Sequence, residues 1–127
     1  MNWSLRKISF LIYCLSFLLP IYFNVDIRGY EGFIWGFFSM MESWLLVIIW
    51  FSNILYFFSF FARVFNSLLR FLFSLVSVIS ALVFFFYEPS PKDVSYPGVG
   101  YAFWLSSFVI NLIDAARELK IETVKKK

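Results

Sequence analysis

Charged residues divide this chain into long apolar intervals, and the spacing of the interruptions predicts its elements. A charged side chain at the centre of a bilayer costs about 3 kcal/mol or more, and a helix needs about 20 residues to cross roughly 30 Å of hydrocarbon. Nearly uncharged intervals of that order predict four spans, at about 8–25, 43–62, 69–87 and 97–114. The fold class expected is therefore an all-α polytopic transmembrane helix bundle, a single domain over residues 1–127 with 115–127 as a tail.

Local signals refine each interval. Arg6 and Lys7 precede an apolar run that stops at Pro20, as in a signal peptide, but Ile-Tyr-Phe-Asn-Val follows without a small-residue cleavage site, so the segment reads as retained. Pro20 is expected to kink or end the first span near its outer end, where neighbours or water satisfy the freed carbonyl. Residues 33–61 are too long for one perpendicular helix and contain Glu42. Either one tilted helix buries that carboxylate, or residues 32–41 form an aromatic interfacial segment and the span begins at Ser43. The second arrangement buries no charge and leaves Trp35 and Trp44 at headgroup level. Pro89 and Pro91, among charges, make residues 87–93 an exposed connection. Beyond Asp114, acids and bases alternate at helical spacing, which predicts a helix continuing into solvent.

Composition reinforces this pattern. The 127 residues are 61% hydrophobic and 15% charged, more apolar surface than a soluble domain of this length can bury. The 24% aromatic share suits acyl tails and interfaces, so the lipid bilayer is the first expected partner. With no His and the single Cys14, the chain lacks the commonest metal ligand, the usual neutral-pH acid or base and any internal disulfide. Leu11-Ile12-Tyr13-Cys14 superficially resembles a lipobox but has Tyr13 where that signal needs a small residue, so Cys14 reads as a packed thiol. No nucleophile with a base, phosphate loop or metal-spaced cluster stands out, so neither catalysis nor a cofactor is expected.

The net charge of +3 does not form a basic face for nucleic acid, and none is expected as a partner. It reads instead as topology. With four spans, Arg6, Lys7, Arg63, Arg70, Arg117, Lys120, Lys125, Lys126 and Lys127 fall on the side of the termini, and only Arg28 and Lys92 fall across the membrane. Nine of the eleven basic residues on one side predict that both termini and the central loop are cytoplasmic.

Polar side chains inside spans are candidates for function. Asn53 lies near mid-depth of the second span, where it would bind a solute or, in the simpler reading, tie helices together by hydrogen bonds. Asn111 lies one turn before Asp114 and is expected to be solvated. Glu42 would serve a proton-coupled carrier if buried, and an ordinary surface near Glu31 and Asp26 if interfacial. Small residues mark helix contacts in lipid. Gly98, Ala102 and Ser106 form one ridge on the last span, and Ser74, Ser77 and Ala81 form another on the third. These ridges are expected to pack together, and the first could also support a homo-oligomer.

Small multidrug exporters carry a Glu in their first span, where this chain has Cys14 and serines, and fluoride channels have a glycine-rich signature that is absent here. Leu19-Pro20, Trp50 with Asn53, and Gly98-Val99-Gly100-Tyr101 with Trp104 resemble small four-span bacterial inner-membrane proteins. That resemblance implies a bacterial source and an inner-membrane location, with no defined activity. Some proteins of this size protect cells against membrane-active toxins, so by analogy the expected role is non-enzymatic, an immunity or accessory subunit that binds another membrane protein or toxin. The alternative is a small oligomeric channel or transporter with Asn53 and Glu42 on its path.

Overall fold

The computed structural model describes residues 4–21, 27–41, 43–62, 66–86 and 97–125, and every named element among them is helical. In chain order these are α1 (Leu5–Ser16), α2 (Gly29–Phe38), α3 (Trp44–Ala62), α4 (Ser67–Leu82) and α5 (Val99–Lys125). Short 3-10 turns, Ser39–Met41 and Val83–Phe86, follow α2 and α4. Three segments are long and apolar enough to cross a membrane: Trp44–Ala62, Ser67–Phe86 and Val99–Lys125.

α1 departs from the expected 8–25 helix. Its 12 residues rise only about 18 Å. Ser4 caps its start by accepting from the Lys7 amide, and Phe17 closes its end. The helix stops because Pro20 has no amide proton and disfavours helical geometry in the residue before it. The preceding amides of Phe17, Leu18 and Leu19 fall back on carbonyls three residues earlier, Cys14, Leu15 and Ser16.

Backbone from elsewhere repairs this break. Gly29 N–H donates to the Leu19 carbonyl at 3.0 Å and Tyr30 N–H to Phe17 at 3.1 Å, both from the start of α2. From the start of α5, Gly100 N–H reaches the Pro20 carbonyl at 2.7 Å and Gly98 N–H the Ile21 carbonyl at 2.6 Å. Such satisfaction is what non-helical backbone requires at membrane depth. Glycine is needed for the approach: a Cβ on Gly100 would lie 2.6 Å from the Leu19 oxygen.

α1 runs antiparallel to α5, with Ser9 beside Ser107 and Pro20 beside Gly100. Residues 9–20 thus run alongside α5 from Ser107 to Gly100, about 11 Å along that helix. α4 packs on both α3 and α5. α5 itself is one 27-residue helix that carries the charged tail without a break as far as Lys125.

α2 and α3 are separate helices, so residues 33–61 do not form one tilted rod. Trp50 Nε1–H donates to the Phe33 carbonyl at 3.2 Å, and Phe33 and Phe37 lie against the Trp50 ring. The outer side of this unit exposes Ile34, Trp35, Phe38, Met41 and Trp44. Glu42, Arg63 and Lys92 lie outside the described residues.

α4 begins earlier than the sequence pattern implied. Asn66 caps it by accepting from the Leu68 amide at 2.7 Å, which puts Arg70 in the first turn of the helix.

Candidate functional site

The bundle is lined inside with polar and small side chains and covered outside with large apolar ones. On α3, Ile49, Ser52, Asn53, Tyr56, Ser59 and Ala62 share one helix face and are buried, whereas Val47, Phe51, Phe57, Phe58 and Phe61 are exposed. Lipid rewards this arrangement: apolar side chains gain nothing by leaving the acyl tails, while polar groups need partners inside.

Three polar layers result. Nearest the Pro20 end, Asn53 Oδ1 accepts from Tyr13 OH at 2.9 Å and from Trp104 Nε1–H at 2.8 Å, while its amide donates to the Trp50 carbonyl at 3.1 Å. An indole can only donate, which fixes the amide's orientation. Asn53 therefore joins α1, α3 and α5. In the middle layer Ser9 Oγ donates to the Ser107 carbonyl at 2.7 Å. Its single proton is then committed, so the 2.7 Å contact with Tyr56 is made by the phenol proton. Around these groups the Tyr13 and Tyr56 rings stack at 4.8 Å and Tyr56 stacks on Phe108 at 4.6 Å, favourable offsets for aromatic pairs.

The third layer centres on Arg70, which is 1% exposed. Its guanidinium donates to Asp114 Oδ2 at 2.7 Å, to a Glu118 carboxylate oxygen, and to Asn111 Oδ1 at 3.4 Å. Asn111 in turn donates to Ser59 Oγ at 2.5 Å and Ser74 Oγ at 3.2 Å. Ser67 Oγ donates to Glu122 at 2.5 Å one turn further along. Among the described residues, Arg70 Nε is the single buried side-chain nitrogen or oxygen without a hydrogen-bond partner.

The sequence-derived candidates fall unevenly on this framework. Asn53 is an interhelical clip. Asn111, expected to be solvated, is fully buried at the junction of α3, α4 and α5, because the early start of α4 brings Arg70 and Ser74 to it. Glu42 is outside the described residues. Ser74, Ser77 and Ala81 are fully buried on α4, and Ala81 gives its carbonyl to Tyr101 OH at 3.1 Å. Their partner is not the expected ridge: Gly98 is buried against Ile21, but Ala102 and Ser106 are exposed. The inward face of α5 is Tyr101, Ser107, Phe108, Asn111 and Ala115, chosen by the aromatic and hydrogen-bonding groups rather than by small size.

Sequence reasoning missed Arg70, Tyr13, Tyr56 and Trp104. A signal for Arg70 existed: Asn66 before an apolar run is an N-cap pattern, and Asp114 with Glu118 at i and i+4 offers one helix face of carboxylates.

Among the described residues no group of three or more His, Cys, Asp or Glu is placed to hold a metal. Comparison with protein-family models, with curated proteins and with solved structures gives no match to this chain.

Proposed function

We propose that this chain is a non-enzymatic membrane interaction protein, an immunity or accessory subunit that binds another membrane protein or toxin by its lateral faces. The observation carrying this reading is that the buried amides and hydroxyls of the interior are engaged with one another, Arg70 Nε being the one buried side-chain polar atom among the described residues without a partner. Both donors of Asn111, the carbonyl of Asn53 and the hydroxyls of Ser9 and Tyr56 are spent on other groups of the same chain. Asn53 is thus engaged rather than presented to a passing solute. What remains for recognition is the outer surface, including the Ala102–Ser106 stripe and the aromatic α2 unit.

The proposed setting is a bacterial inner membrane crossed four times, with both termini cytoplasmic. The fourth crossing is residues 4–21, supported by their antiparallel packing along α5 and by the backbone donors that complete the chain past Pro20. The orientation rests on the basic residues.

Reconstitution in liposomes tests the functional reading. Ion and proton flux should equal that of protein-free vesicles, and a photo-crosslinker at Ala102 in cells should give a discrete adduct with a membrane protein. Flux abolished by Asn53→Leu would establish a channel or transporter instead.

A further inference from the structure

Among the described α-helices, α2 alone buries none of its residues. Its inner side touches the end of α1 and the Trp50 ring: Phe33 lies 5.6 Å from Phe17, and Phe33 and Phe37 lie against the indole. Trp50 is six residues, about 9 Å, along α3 from Trp44. α2 is therefore sunk beside the Trp44 end of that span instead of resting above it.

The start of α2 is equipped for that depth. A helix N-terminus leaves amides without intrahelical partners, and near hydrocarbon each must find one in the protein. Those of Gly29 and Tyr30 go to the α1 carbonyls, and that of Arg28 goes to Glu31 Oε2 at 2.8 Å. No charge follows from Gly32 to Met41, and Ile34, Trp35, Phe38, Met41 and Trp44 are exposed. Exposed Trp and Phe on a short uncharged helix fit the boundary between headgroups and acyl chains, so lipid is the occupant of this surface.

Gly98 and Gly100 meet the same α1 end as Gly29, so α2 sits at the start of α5, in the leaflet opposite the charged tail. The tail end of the bundle has no counterpart among the described residues: there α5 runs on as a helix with Ile121 to Lys125 exposed. α2 thus adds its bulk to one leaflet only. Its ten residues make a rod about 15 Å long and 10 Å wide, a footprint on the order of 150 Å². A rod half sunk in one leaflet inserts with least work where that leaflet is already spread, which is where it is convex. We propose that α2 is a one-leaflet wedge, and that through it the protein recognises a convex, loosely packed lipid leaflet. This recognition does not depend on which protein partner the bundle engages.

Narrow tubes pulled from giant dioleoyl phosphatidylcholine vesicles test this, using the full chain with an NBD dye attached at its C-terminus. Dithionite added outside bleaches molecules whose tails face outward, so the remaining signal comes from those with α2 in the outer, convex leaflet of the tube. That population should be enriched in the tube over the flat vesicle about twofold, equivalent to roughly 0.4 kcal/mol. The opposite orientation, obtained by difference, should be depleted, a comparison that needs no variant. Trp35→Ala/Phe38→Ala thins the wedge and should bring both densities toward equality. Leu72→Ala/Val76→Ala, on the exposed face of α4, should sort as the wild type does. Equal density in tube and vesicle, enrichment in both orientations, or sorting unchanged by Trp35→Ala/Phe38→Ala would each overturn the proposal. None of these outcomes bears on solute flux or on the Ala102 crosslink, so the wedge and the interaction reading fail separately.

Discussion

Arg70 on α4 and Asp114 on α5 are joined by a 2.7 Å ion pair whose guanidinium is almost wholly enclosed. Glu118 shares the same guanidinium and Asn111 lies against it, so one side chain sets the register of two helices. Removing one member of such a pair leaves the others buried and uncompensated. Arg70→Leu should therefore destabilise the bundle by about 3–5 kcal/mol. Adding Asp114→Asn and Glu118→Gln should recover part of that loss, measured by unfolding in detergent micelles. Full stability of Arg70→Leu alone would show that the pair does not hold the helices.

Asn53→Leu removes the shared acceptor of Tyr13 and Trp104 and leaves two donors in an apolar interior. Individual hydrogen bonds in membrane proteins contribute about 0.6 kcal/mol on average and up to about 1.7. The expected loss is on the order of 1–3 kcal/mol, accompanied by a change in Trp fluorescence as Trp104 loses its partner.

Gly100→Ala should be among the most damaging small changes, because the added methyl meets the Leu19 and Pro20 backbone at 2.6–2.7 Å and neither can move without breaking the repair of the α1 end. Gly36→Ala meets only Trp50 Cδ1 at 3.5 Å and should be tolerated. Comparison of the two melting temperatures in detergent checks this; equal values would argue against close contact between the two segments.

The two small-residue stripes should respond oppositely to bulk. Ser77→Leu overfills the fully buried face of α4 and should lower stability by about 1–3 kcal/mol. Ser106→Leu projects from the exposed face of α5 and should leave monomer stability unchanged, while weakening any helix partner that sits there. Stability is read by thermal melting, and association by crosslinking at Ala102.

Hydrophobic intervals and their charged boundaries were enough to specify a helical membrane bundle, because the cost of burying charge in lipid acts on each residue regardless of its neighbours. The same local rule located the α3 and α5 spans, the break between α2 and α3, and the helical tail. It also marked Pro20 as a place where the first helix would kink or end, but not that the break survives because Gly29, Gly98 and Gly100, distant in sequence, bring amides to the exposed carbonyls.

Which polar groups would meet was likewise decided only in three dimensions. Asn53 was recognisable as an intramembrane amide, but its partners Tyr13 and Trp104 are 40 and 51 residues away. Arg70 looked like a topology charge until the Asn66 cap turned it inward, and Asn111 looked solvated until Arg70 covered it. Small size alone predicted the inward face of α4 and not that of α5. In lipid, a face turns inward when its polar groups find partners on neighbouring helices, and that condition belongs to pairs of helices rather than to any one of them.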